Sequence, residues 1–173
     1  MNIHTSARSV LLVTLFLVVS VAPRLLFSQS NWKWQNPLPS ANPLRSVMFA
    51  DSLAGTAVGD RGAIINTSDG GKNWVLQTSG TPNDLKGIFS FDNKRGIIVG
   101  ARGTILRTTD NGLSWVMSVL SSGYQLNGVF FIDSVNGTIV GDSGFIYRTT
   151  NGGESWLKTQ LSSLCLNAVT FTD

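Results

Sequence analysis

The sequence predicts an all-β chain of four-stranded antiparallel blades, arranged as a β-propeller that is here an incomplete array of about three blades. Three observations predict it. Trp74, Trp115 and Trp156 recur 41 residues apart, and Gly59, Gly100 and Gly141 keep the same interval, the mark of a stacked structural repeat. The composition, with 18 Gly, 5 Trp and 9 Phe among 173 residues, suits short strands joined by tight turns. No long helical pattern follows residue 30.

Residues 1–30 differ in kind. His4 and Arg8 precede an apolar stretch from Val10 to Ala22, and the small residues Ser20, Ala22 and Ser28 follow as candidate cleavage sites. This is the pattern of an export signal. A membrane anchor is the competing reading, but the stretch falls short of the roughly 18 apolar residues a spanning helix needs. The expected location is therefore periplasmic or extracellular, with no membrane span after cleavage. Cleavage removes Arg8 and Arg24, two of the 13 basic side chains, leaving 11 against 10 acidic ones. So even a balance gives no case for nucleic-acid binding, which calls for a clustered basic face. The lone Cys165 has no internal disulfide partner. It reads as a loop or strand-edge residue rather than a reactive thiol.

After the signal, residues 31–43 read as a leading outer strand and linker, because Trp32-x-x-Gln35 matches Trp74-x-x-Gln77. Blade 1 spans 44–84, blade 2 spans 85–125 and blade 3 spans 126–165. Residues 166–173 read as the first strand of a truncated next blade, which would leave unpaired strand edges. Each blade opens with a strand at Leu44–Ala50, Leu85–Phe91 or Leu126–Ile132, followed by Asp51, Asp92 or Asp133 and a glycine four residues later. An aspartate before a glycine is turn chemistry, the carboxylate accepting backbone N–H groups, and that reading outweighs a ladder of metal ligands. Second strands are expected at Thr56–Val58, Ile97–Val99 and Thr138–Val140, and third strands at Ala63–Asn66, Thr104–Arg107 and Phe145–Arg148. The fourth strand should start at each tryptophan.

Between the third and fourth strands lie Thr67-Ser68-Asp69-Gly70-Gly71-Lys72-Asn73-Trp74, Thr108-Thr109-Asp110-Asn111-Gly112-Leu113-Ser114-Trp115 and Thr149-Thr150-Asn151-Gly152-Gly153-Glu154-Ser155-Trp156. These segments resemble the Asp-box, (S/T)-x-D-x-G-x-(S/T)-W, with Asn151 in place of the third aspartate and Asn73 in place of the first late Ser/Thr. Thr67, Asp69, Gly71 and Trp74, with Thr108, Asp110, Gly112 and Trp115, and Thr149, Asn151, Gly153 and Trp156, are read as a folding device. The hydroxyl and carboxylate bond the turn's own amides while the indole packs on the blade. Glu154, the only glutamate, reads as a solvated turn residue.

Alternating strand direction puts the Asp-boxes on one face and the turns between second and third strands on the other, together with the linkers Thr78–Asp84, Leu120–Gln125 and Leu161–Cys165. That second face varies among otherwise repeated units and is the candidate binding surface. Its turn residues are Asp60-Arg61, Ala101-Arg102 and Asp142-Ser143. Arg61 and Arg102, one per neighbouring blade, are candidates for a basic patch that takes a carboxylate or an acidic peptide. The alternative for them is an ion pair with the neighbouring Asp60.

Taken together, the Leu-x-x-Val/Ile strand, Asp-x-x-x-Gly, Val-Gly-x-x-Gly-x-Ile and the Asp-box are similar to the photosystem II assembly/stability factor family, over about Trp32 to Asp173. The resemblance implies a seven-bladed propeller that acts as a non-catalytic assembly factor, and a patch of arginines in partner contact, matched here by Arg61 and Arg102. Ser143 breaks that pattern in blade 3. A protein or peptide partner is thus expected, with glycan binding or glycoside hydrolysis of a sialidase-like or xyloglucan-cleaving type as the alternative. Hydrolysis needs a pair of carboxylates across a cleft, and the sequence offers only Asp60 and Asp142, two blades apart. No cofactor is expected, and there is no His/Cys spacing for a metal.

Overall fold

The computed structural model describes residues 40–120 and 123–172. The expected export signal, the strand expected at Trp32–Gln35 and Asp173 lie outside the described residues. Three four-stranded antiparallel sheets follow one another along the chain. The first holds β1 (Leu44–Phe49), β2 (Gly55–Gly59), β3 (Ile64–Thr67) and β4 (Val75–Gln77); the second holds β5 (Leu85–Ser90), β6 (Gly96–Gly100), β7 (Thr104–Thr108) and β8 (Val116–Val119). The third holds β9 (Leu126–Phe131), β10 (Gly137–Gly141), β11 (Phe145–Thr149) and β12 (Leu157–Gln160). In each sheet the strands pair in sequence order. Each fourth strand begins one residue after its tryptophan, because the indole belongs to the Asp-box turn.

Why the sheets stack follows from where the apolar residues fall. The middle strands are apolar on both faces: β6 is buried throughout, as is β10. A lone sheet would expose one of those faces, so each must be covered by a neighbour. Val58 and Ile64 from the first sheet meet Leu85, Ile88, Ile98 and Leu106 from the second, with Met48 and Trp115 packed alongside. On its other face the second sheet presents Ile97, Val99 and Ile105 to Leu126, Val129, Phe131 and Ile139 of the third. The first strands lie side by side, β1 against β5 and β5 against β9, whereas β8 and β12 are exposed along their whole length. Strand order therefore runs from a shared inner edge to a solvent-facing outer edge, as in propeller blades.

Two places depart from the expected pattern. Residues 166–172 form no ladder with the described strands. They nevertheless occupy the place of a next first strand, with Ala168 against Gly128 and the Phe171 ring 5.8 Å from that of Phe130. At the opposite end Val47 is 59% exposed, while its counterpart Ile88, 41 residues on, is 7% exposed. That apolar face of the first sheet carries Leu44, Val47 and Trp74 around an open groove.

Candidate functional site

The turns between second and third strands are three copies of one unusual backbone shape. Each is a short 3-10 turn, Asp60–Gly62, Ala101–Gly103 and Asp142–Gly144, whose middle residue is left-handed: Arg61 at φ 55°, Arg102 at 57° and Ser143 at 57°. Side chains with a Cβ avoid this region, so two arginines in it are a local cost that the surrounding structure sustains. The turns are fixed from below. The N–H groups of Asp60, Ala101 and Asp142 donate to the carbonyls of Pro43, Asp84 and Gln125, at 2.9, 2.8 and 3.0 Å. The glycine before each turn is what permits this approach. A Cβ at Gly59, Gly100 or Gly141 would overlap that same carbonyl oxygen, although the glycines themselves are ordinary extended backbone at φ −166°, −168° and −159°.

Arg61 and Arg102 are both exposed. The pairing of Arg61 with Asp60 expected as an alternative does not form, because Asp60 is occupied by Arg45. Arg45 donates from Nε to Oδ1 at 2.7 Å and from its terminal nitrogen to Oδ2 at 2.8 Å. This two-pronged ion pair, led by the hydrogen bonds from Arg45, holds the Asp60 carboxyl below its ordinary value. The ion pairs Arg45–Asp60 and Arg95–Asp92 involve neither Arg61 nor Arg102, and among the described residues neither arginine's side chain forms an ion pair with a carboxylate. Arg61 is tied only through its backbone, its N–H donating to Asp84 Oδ1 at 2.9 Å.

Arg45 was not singled out from the sequence, and neither was its counterpart Lys86. Both sit at the second position of a first strand, as does Asn127, and at that position every inner ladder skips a residue. Leu44 pairs with Gly59 and Ser46 with Val58; Leu85 pairs with Gly100 and Gly87 with Val99; Leu126 pairs with Gly141 and Gly128 with Val140. A bulge re-aims the extra residue's side chain. The 41-residue spacing of Arg45, Lys86 and Asn127 was the available signal. These residues reach the mouth of the inner edge, where Arg45, Asp60, Asp84, Lys86 and Gln125 line a polar recess of about 350 Å³.

In the third sheet the same face changes character. Asp142 accepts from Asn127 Nδ2 at 3.0 Å, and Ser143 uses its carbonyl to accept from Gln160 Nε2 at 2.9 Å. Tyr124 and Phe145 stack with centroids 4.5 Å apart, and the Lys158 ammonium lies 3.6 Å from the Phe145 centroid. Where the second sheet has a hydrogen bond from Asn83 to Thr104 at 2.8 Å, the third has this cation–aromatic stack. Asp60 and Asp142 thus do not face one another across a cleft; each is engaged within its own sheet.

On the opposite face the Asp-boxes spend their polar atoms internally. Thr67 Oγ accepts from the N–H groups of Asp69 and Gly71 and donates to Asp69 Oδ1 at 2.8 Å, while Asp69 accepts from Asn73 N–H at 2.9 Å and from its amide nitrogen at 2.7 Å. Asn73 is therefore a working replacement for Ser/Thr. These bonds, those from Asn73 foremost, hold the Asp69 carboxyl down at about 2. Thr108, Asp110, Gly112 and Ser114 repeat the arrangement. In the third box Asn151 Oδ1 accepts from Thr149 and from Ser155 N–H, and its Nδ2 donates to the Ser155 hydroxyl at 2.9 Å. An amide serves there because Ser155 can accept as well as donate. Trp74, Trp115 and Trp156 stand half-buried, against Phe49 and Phe131 in the first and third sheets and against the core between the first two sheets at Trp115. Gly153 would meet Trp156 and Ile97 if it carried a Cβ. Asp51, Asp92 and Asp133 each accept two backbone N–H groups of their own turn at 2.7–2.8 Å. Among the described residues no three His, Cys, Asp or Glu side chains gather as a metal site, and no helix is long and apolar enough to cross a membrane.

Solved structures carry the same fold. "YCF48 bound to D1 peptide" is 26% identical with a TM-score of 0.66, and YCF48 from Cyanidioschyzon merolae is 26% identical with a TM-score of 0.62. Each match covers 73% of this chain and 42% of the other, so the chain spans less than half the length of these relatives. An ancestral GH74 enzyme matches over 66% of this chain and 18% of its own at 18% identity, TM-score 0.55, which is a likeness of fold alone. No curated protein matches. The family model described as photosynthesis system II assembly factor YCF48 matches residues 26–166, and this chain, with its repeated blades, glycine-anchored turns and Asp-boxes, belongs to that family.

Proposed function

We propose that the chain is part of an exported, non-catalytic propeller scaffold that binds a protein partner through the face bearing Arg61 and Arg102. The observation that carries this reading is the pair of exposed arginines, held in left-handed turns on adjacent blades and without a carboxylate partner among the described residues. Two exposed guanidiniums outside any ion pair, carried on left-handed turns, are suited to bidentate contact with carboxylates of an extended peptide. A relative solved with the D1 peptide supports a peptide as the ligand class. The polar groups that hydrolysis would need are committed elsewhere: Asp60 to Arg45, Asp142 to Asn127.

Selection of displayed random dodecapeptides on the folded chain tests this. Enrichment of Asp and Glu is expected, and it should vanish or invert for the doubly substituted Arg61→Glu, Arg102→Glu chain. Enrichment without charge preference, or unchanged by the double substitution, would overturn the reading.

A further inference from the structure

The three bulges place a side chain at the same point of each blade and give it the same intended partner. In every case the bulged residue lies fifteen positions before the first residue of its turn, so the couples are Arg45 with Asp60, Lys86 with Ala101, and Asn127 with Asp142. The first couple is a closed ion pair and the third a hydrogen bond from amide to carboxylate. The second lacks its carboxylate, because Ala101 stands where the other blades have aspartate.

We propose that Lys86, on the same blade as Arg102, is a carboxylate-reading position of this face, left open because blade 2 omits the aspartate that neutralises Arg45 in blade 1. This rests on the protein-binding reading above and adds to it a residue and a location. The Lys86 ammonium makes one hydrogen bond, to Asn127 Oδ1 of the next blade at 3.1 Å. That acceptor is neutral, and an ammonium has three protons to donate. The carboxylates that share its recess are engaged by others. Asp60 gives both oxygens to Arg45, and Asp84 gives Oδ1 to the N–H of Arg61. Lys86 is half-buried and lines the same recess as Arg45, Asp60 and Asp84. Blade 2 thus offers two cations and no carboxylate of its own at the turn. Blade 1 offers two cations with Asp60 between them. Blade 3 offers Asp142 and no cation at either position. A peptide lying across the three blades would place its carboxylate over blade 2.

The repeat supplies its own test. Ala101→Asp copies the Asp60 arrangement into blade 2, in a turn whose backbone angles match those of blade 1, and should close Lys86 into an ion pair without harm to the fold. Lys86→Met removes the cation directly, and Asp60→Asn loosens Arg45. The probe is an N-acetylated octapeptide of alternating glycine and glutamate, titrated at low ionic strength against its glutamine counterpart, with chemical shifts read by NMR. Preference for the glutamate peptide is expected, weakened about fivefold by Lys86→Met and by Ala101→Asp, the range of a solvent-accessible ion pair, and strengthened by Asp60→Asn. If Arg61→Glu with Arg102→Glu abolishes the preference while Lys86→Met and Ala101→Asp leave it intact, the role of Lys86 is refuted and the arginine reading stands. If the reverse holds, the arginine reading falls and Lys86 remains. No preference in the unsubstituted chain overturns both.

Discussion

Gly100 is a position where a single added methyl group collides with backbone. Its φ of −168° suits any residue, so the cost is one of space. A Cβ would overlap the carbonyl oxygen of Asp84 and lie 3.0 Å from Leu85 Cα. Both obstacles are backbone, and no rotamer change relieves them. The linker must move away, which breaks the 2.8 Å hydrogen bond from Ala101 N–H to Asp84 O and loosens Leu85, fully buried between the first two sheets. Overpacking of this kind costs about 1–3 kcal/mol, and the lost hydrogen bond about 1 kcal/mol more. Gly100→Ala should therefore destabilise by about 3 kcal/mol. Gly80→Ala is the control: nothing lies within 4 Å of the added Cβ, and only its left-handed φ of +74° opposes the change, at about 1 kcal/mol. Urea unfolding followed by tryptophan fluorescence reads both, at comparable slope. Equal losses for the two variants, or a greater loss at Gly80, would refute the argument that the glycine is kept for the close approach of the linker.

Thr108 is buried and its hydroxyl receives the N–H of Gly112 at 2.9 Å, so Thr108→Ala strands a buried donor and should cost about 2 kcal/mol in the same assay. The exposed Ser114→Ala should cost less than half as much. Trp115 Nε1 is buried without a hydrogen-bond partner; Trp115→Phe then forfeits no bond and should cost only about 1 kcal/mol, against about 3–5 kcal/mol for Trp115→Ala. Acid should act unevenly on the Asp-boxes. Asp69, held at about 2, and Asp110, also lowered, stabilise the fold fully above the unfolded carboxyl value of about 4, and that contribution fades as pH falls through their folded values. Asn151 does not titrate. Amide exchange between pH 4 and 2 should accelerate in the first two boxes and not in the third, until Asn151→Asp makes the third behave like them.

The blades were legible because their signals are local and periodic. Short strand-forming runs between tight turns, Asp-x-x-x-Gly reversals and the tryptophan interval mark strands and turns wherever the sheets finally pack. Even the Asn73 and Asn151 departures could be read as turn residues, since an amide replaces either a hydroxyl or a carboxylate there. What escaped notice depends on three-dimensional register. The left-handed backbone at Arg61 and Arg102 gives no compositional sign, because arginine is not a residue that prefers it. The bulge that turns Arg45 towards Asp60 is visible only as a skipped rung in the ladder, and without it Arg61 looked like the natural partner of the adjacent aspartate. Lys86 was overlooked for the same reason: its importance lies in the absence of a partner at Ala101, fifteen residues away.

The most direct test of the central claim is which face a bound peptide covers. Hydrogen–deuterium exchange of the chain, with and without an acidic peptide recovered from the display selection, reads this residue by residue. Protection is predicted at the turns 60–62 and 101–103 and at the strand starts near Arg45 and Lys86, with the Asp-box segments 67–74, 108–115 and 149–156 unchanged. Protection centred on the Asp-boxes, with the arginine turns exchanging as in the free chain, would contradict the account.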